Sequence, residues 1–220
     1  MAVKRLRERQ AEATRQQLVD VARQLFTERG YAGTSIEDII ERAGVARGAL
    51  YHHFPGKDAL FAAVYQVVQA EVATTVVTAA LAADDPAQAV YTGLSAFLDA
   101  CLRPEFRQIV VLDSVPVLQR RAWEDGGTEH SGHSELDMLS QVLTPLAAAY
   151  LPGLDMKALA HVALGGLYGA ALYIAGSPEP ATARAQADAV LDTLITGLRA
   201  GASPAITRPP RHQESRPPSP

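Results

Sequence analysis

Residues 34–57, TSIEDIIERAGVARGALYHHFPGK, decide how this chain is read. Two short helices at a tight turn are predicted there, followed by the start of a third. Thr34 and Glu37 stand as a T-x-x-E capping box, so the first helix is expected to begin at about Ser35. Ile36, Ile39, Ile40 and Ala43 fall at i, i+3, i+4 and i+7 and give that helix one apolar stripe. Gly44 ends it, because glycine takes the left-handed C-cap geometry without steric cost. Val45 restarts the chain as an apolar plug. The second helix, about Ala46 to His53, buries Leu50 and Phe54 and offers Arg47, Gly48, Tyr51, His52 and His53 on its other face.

Two helices joined by a glycine turn make a helix-turn-helix, whose second helix enters the DNA major groove. The outward set suits that task. Arginine pairs in bidentate fashion with guanine O6 and N7, so Arg47 is the candidate base reader. Gly48 and Ala49 are small and allow close approach. Tyr51, His53 and Lys57 are donors suited to phosphate oxygens. Geometry of this kind alone also fits an ordinary helical pair on a protein surface. The full string is more specific.

Thr34, the run IEDIIERAGVARGALYHHF and the segment Lys57–Leu60 closely resemble the N-terminal DNA-binding domain of the TetR family of transcriptional regulators. The likeness spans about Ala11 to Val68. Ala46 stands where serine is commoner and Ala49 where threonine is commoner, which removes two hydroxyls that could touch DNA. Motif and resemblance together give an expected contact set of Thr34, Ser35, Ala46, Arg47, Gly48, Tyr51, His52, His53 and Lys57.

The charge distribution agrees. The 220 residues carry a net charge of −4, yet residues 1–57 hold 10 Lys/Arg against 7 Asp/Glu, and residues 58–220 hold 10 against 17. A basic reading head on an acidic body is the pattern of a DNA-binding protein. Cys101 is the only cysteine, which excludes an intramolecular disulfide and fits a reducing cytosol. The first residues, MAVKRLRERQAEATR, contain no apolar run of a signal peptide. A cytoplasmic location is expected.

The chain divides into a basic disordered arm (1–10), a helix-turn-helix domain (11–57), a helical body (58–201) and a Pro/Ser/Arg-rich disordered tail (202–220). Helix 1 should run from Ala11 to Arg29, with Leu18, Val21, Ala22, Leu25 and Phe26 as its core stripe. Helix 4, from Lys57 to about Ala82, would be close to about 40 Å long and is expected to be the one element that reaches both head and body. Helix 5 spans about Ala87 to Leu102. Helix 6 follows Pro104 with Phe106, Ile109, Val110 and Leu112 as its apolar set, and Pro116 should kink or end it. Residues 119–133 lose periodicity and read as a loop. Glu129, His130, His133 and Asp137 match no zinc spacing, so neither metal nor cofactor is expected. Helix 7 starts near Ser134, helix 8 covers about Met156 to Ala175 and helix 9 about Pro180 to Leu198. No strand-like alternation occurs, so the fold class is all-α.

Ala158 to Gly176 is a run of 19 residues without Asp, Glu, Lys or Arg, and it contains Gly165 and Gly169 in a G-x-x-x-G arrangement. Both features occur in membrane-spanning helices that dimerise. The preferred reading is a soluble dimer interface, because the run is rich in Ala and Gly, contains His161 and lacks basic anchors after it. The family resemblance implies the same: the last two helices of such proteins pair across a two-fold axis. Leu167, Gly169, Leu191 and Leu194 are the expected interface residues. The segments RPEFRQIVVLDSVPVL and ALGGLYGAALYIAG also resemble a recurring body type within the family.

Tyr91, Phe97, Cys101, Met138, Tyr168 and Tyr173 recur in charge-poor stretches of the body. As single residues they read as core packing; as a group they could line a pocket for a lipophilic or aromatic molecule. The function expected from the residues is DNA binding, and the resemblance implies a ligand-released repressor acting as a homodimer on a palindromic operator. The alternative is a helical small-molecule-binding protein or an enzyme, for which no G-x-S-x-G, phosphate loop or H-E-x-x-H is present.

Overall fold

The computed structural model describes residues 2–118 and 132–200. Every regular element among them is helical. The head comprises α1 (Ala2–Arg29), α2 (Ile36–Ala43) and α3 (Arg47–His53). The body comprises α4 (Lys57–Leu81), α5 (Pro86–Ala100), α6 (residues 104–118), α7 (Gly132–Tyr150), α8 (Met156–Gly176) and α9 (Pro180–Ala200). Of the expected loop 119–133, residues 119–131, with Glu129 and His130, lie outside the described residues, as do the side chain of His133 and the tail 202–220, whereas residues 132 and 133 already belong to α7.

Residues 2–10, expected as a disordered arm, continue α1 as helix. Arg5, Glu8, Arg9 and Gln10 in these turns are exposed. Leu18, Val19, Ala22, Leu25 and Phe26 pack inward. Phe26, Tyr31 and Phe61 form an aromatic triangle, with Phe61 edge-on to both partners at 5.2 Å between ring centres. Phe61 belongs to α4, so the core is continuous across the expected 57/58 boundary.

α4 buries Leu60, Phe61, Val64, Tyr65, Val68, Val72, Val76 and Ala80, because α1, α5, α6 and α7 cover it from several sides. Thr75 is exposed and Val76 takes the inward place. Asp85 caps α5 by accepting from the Gln88 N–H, and Pro86 occupies the first turn, where no N–H is needed.

α6 departs from expectation in its register. Residues Phe106–Asp113 form a π-helix, and the helix then runs through Pro116 to residue 118. Pro116 lacks the N–H that an α-helix would send to the Leu112 carbonyl, and its ring crowds that carbonyl. The wider turn upstream takes up the misfit. The extra residue per turn also rotates the inward face: Val111 is buried at 5% exposure and Leu112 faces out at 41%. The Ser114 hydroxyl donates to the Val110 carbonyl and so keeps a buried polar group bonded.

Two helices, α4 and α8, are long and apolar enough to cross a membrane by length and composition. α4 is the spine of the core. α8 turns one side inward through Ala160, Ala171 and Ile174 and leaves a second apolar side open.

Candidate nucleic-acid interface and internal cavity

The local chemistry of α2 and α3 sets the reading face. The capping box forms one residue later than expected. Ser35 is the N-cap, accepting from the Asp38 N–H at 3.0 Å, while the Asp38 carboxylate accepts from the Ser35 N–H at 2.9 Å. Thr34 is 1% exposed, and its hydroxyl is directed back to the Gly30 carbonyl at 2.9 Å. It closes the turn after α1 and cannot touch DNA from there. Gly44 has φ +64°, and the Val45 N–H reaches the Ile40 carbonyl at 3.4 Å, the 6→1 bond of a Schellman stop. That stop sets the angle at which α3 leaves α2.

Ser35, Ala46, Arg47, Gly48, Tyr51 and His52 are all exposed, and the Arg47 guanidinium lies 5.7 Å from the centre of the Tyr51 ring. A Cβ on Gly48 would meet nothing within 4 Å, so this part of α3 is open to close approach. His53 is half-buried against Phe54. Lys57 is placed differently from expectation. Its ammonium donates to the Tyr31 and Thr34 carbonyls, both at 2.9 Å, and lies 4.0 Å from the Tyr31 ring centre. It ties the turn after α1 to the start of α4, a structural duty that competes with any phosphate contact.

The head is joined to the body by two carboxylate clamps. Arg23 of α1 donates to both oxygens of Glu71 on α4, at 2.7 and 2.6 Å. It also donates to both oxygens of Glu105 at the start of α6, at 2.9 and 3.0 Å. Hydrogen bonds from Arg23 hold both carboxyls below their ordinary range despite partial burial. At the other end of the π-helical stretch, Asp113 accepts from the Tyr31 N–H at 2.8 Å and from Gln108 at 3.0 Å. Burial holds the Asp113 carboxyl above its ordinary range.

Between these clamps the opposite side of α6 lines an internal cavity of about 70 Å³. Phe106, Val110 and Val111 of α6 share it with α4, α5, α7 and α8. α6 therefore reaches both head and cavity, which corrects the expectation that α4 alone does so. Among the described residues the lining holds no charged side chain, and its polar members are Gln69 and Tyr168.

Of the six residues expected to line a pocket, Phe97, Met138 and Tyr168 do. The other three have separate duties. Tyr91 donates to Asp188 at 3.1 Å and links α5 to α9. Cys101 is fully buried in the core, and desolvation pushes its thiol up to about 12, which leaves it unreactive. Tyr173 is 53% exposed and bonds Gln186 across the α8/α9 surface. Phe106 and Val110 were expected only as an apolar set, since spacing does not say which neighbour faces it, and neither Gln69 nor Val111 was singled out by spacing.

The open side of α8 and α9 carries Val162, Gly165, Gly169, Leu172, Val190 and Leu194. Val162 is 75% exposed, and Val190 and Leu194 are each 61% exposed. Gly169 and Leu194, expected at the interface, are both exposed on this open side. Leu167 lines the cavity instead, and Leu191 packs into the core between α9 and its neighbours.

Comparison with known proteins agrees with this architecture. Residues 18–64 match the family described as bacterial regulatory proteins, tetR family, and residues 87–198 match the tetracyclin repressor-like C-terminal domain. The chain is similar to the HTH-type transcriptional regulator AcrR of Shigella flexneri, 40% identical over 63 residues. It is similar to TtgR of Pseudomonas putida, 45% identical over 62 residues. Each of these matches spans only 29% of the relative's length. A crystal structure of a TetR-family transcriptional regulator from Pectobacterium atrosepticum is 34% identical, with a TM-score of 0.72, and the match covers 86% of this chain and 95% of that one. With head and body matched separately and a solved member matched nearly end to end, the chain belongs to the TetR family of DNA-binding transcriptional regulators.

Proposed function

We propose that this regulator is a repressor that binds a palindromic operator as a homodimer and is released by a neutral lipophilic or aromatic molecule. The observation that carries the reading is α6. One side of it lines the apolar cavity, and both ends of its π-helical stretch grip the head through Glu105 and Asp113. The cavity is about 70 Å³, whereas pockets for drug-sized ligands run to roughly 300–1,000 Å³. An occupant has to push a wall outward. π-helical stretches are rare and often mark functional sites, so α6 is taken as the wall that yields. Its movement pulls on Arg23 and Tyr31 and so changes the angle of α3. α4 moves with it through Glu71.

The chemistry of the lining sets the ligand class. A carboxylate or ammonium brought into this cavity would find no opposite charge among the described residues, and burying an unpaired ion is strongly unfavourable. Gln69 and Tyr168 orient a neutral guest. A panel of neutral lipophiles titrated against the protein–operator complex should contain a compound that releases DNA. The same compound should bind more weakly in the presence of operator, by the same factor, because the linkage is reciprocal. A compound that fills the cavity with operator affinity unchanged would rule out this route.

On DNA, α3 lies in the major groove, and a dimer sets two copies about 34–36 Å apart. The second copy covers the open side of α8 and α9, where Gly165 and Gly169 let the helix axes approach closely. This reading accounts for the apolar run of α8 without a membrane, and with it goes a cytoplasmic location beside the DNA. No cofactor takes part.

Arg47→Ala tests the reading head. Binding to a duplex enriched by the parent protein from a random pool should weaken by about 1–3 kcal/mol per half-site, with relaxed preference at one base pair of each half. Unchanged affinity for that duplex would remove Arg47 from the role of reader.

A further inference from the structure

The base-reading cation is already held by a carboxylate of its own chain. Arg47 opens α3 and Glu37 lies in the first turn of α2. Arg47 Nη1 sits 2.9 Å from Glu37 Oε1, and both side chains are 63% exposed. On its other side the guanidinium lies 5.7 Å from the centre of the Tyr51 ring. Other described cations of the head have partners of their own. Arg29 pairs with Asp38, Arg42 with Glu28, Arg23 with Glu71 and Glu105, and Lys57 bonds two carbonyls. Arg47 is the one Lys or Arg of α3, and its charge is matched by Glu37.

We infer that Glu37 is a specificity-determining residue, which withholds Arg47 from phosphates on arbitrary DNA and yields it to a guanine edge. The inference rests on the reading of Arg47 as the base reader. A lone arginine can neutralise a phosphate on any sequence, and each phosphate neutralised adds about 0.9 to the salt slope. Beside Glu37 the pair is neutral, and a phosphate has to displace a carboxylate already in place. An exposed pair of this kind is worth up to about fivefold in an equilibrium. A single phosphate contact gains little by the exchange. A bidentate guanine contact is worth from about fivefold to more than a hundredfold, so it wins. Once Arg47 has left, the Glu37 carboxylate can only accept hydrogen bonds and is repelled by the backbone. A register that returns no base contact is then disfavoured further.

Glu37→Gln keeps the length and the polar tip and removes the charge. Affinity is measured over a range of salt for two duplexes of equal length, one enriched by the parent protein from a random pool and one of random sequence. The variant should bind the random duplex about three- to tenfold tighter, with a slope steeper by up to about 2 per dimer. The enriched duplex should change less, so the ratio of the two affinities falls severalfold. In an Arg47→Ala background the same substitution should shift both duplexes by one common factor and leave the ratio alone. A Glu37→Gln variant with the parent's ratio would overturn the inference. So would equal weakening on both duplexes, the signature of a merely structural role in α2. If Arg47→Ala itself kept the parent's ratio, the fault would lie with Arg47 as reader.

Discussion

Gly169→Leu should turn a dimer into a monomer and lower operator affinity by a factor of about 10²–10⁴. Within one protomer a Cβ at Gly169 meets nothing within 4 Å, so the larger side chain is accommodated by the fold itself. Its effect is confined to what lies against the open side of α8. There a leucine would hold two helix axes apart and strip contacts from Val162, Leu172 and Leu194. Binding two half-sites through one dimer makes the second contact intramolecular, and an avidity of that order disappears with the dimer. Sedimentation at micromolar protein, beside a helicity spectrum, separates loss of assembly from loss of fold. A parent that sediments as a monomer, or a variant that stays dimeric with parental DNA affinity, would defeat the proposal.

Phe61→Ala should be the most damaging single truncation for stability, at about 3–5 kcal/mol. Phe61 is fully buried and holds Phe26 and Tyr31 edge-on, so its removal opens a cavity and also loses two aromatic pairs. These contacts tie the head to α4. The melting temperature, at fixed protein concentration, should fall by on the order of 10 °C. DNA affinity should fall more than stability alone accounts for, because the angle between head and α4 loses its pivot. A loss below about 1 kcal/mol would mean that the head and α4 do not depend on this triangle.

The helix-turn-helix was legible because its signals are local. A glycine at φ +64° and an apolar stripe at 3.6-residue spacing depend on residues within one or two turns. The acidic body and basic head could be counted directly, and the all-helical class followed from the missing alternation of strands. The family's regulatory character, which sets the enzyme alternative aside, came with the same string.

What the sequence left open was where polar tips and helix sides point, because those depend on neighbours far along the chain. Thr34 and Lys57 carry the right groups for phosphate, yet carbonyls of the turn after α1 engage both. The spacing of α6 suggested Leu112 as a core residue, but the π register, associated with Pro116, placed Val111 inward. Leu167 and Gly169 are two residues apart on one apolar helix, and packing alone assigned the first to the cavity and the second to the open side. Asp113 bonds the Tyr31 N–H across 82 residues, so only the folded chain could reveal α6 as a link between cavity and head. Helical periodicity states that a face is apolar; the partner that covers it is chosen by tertiary packing.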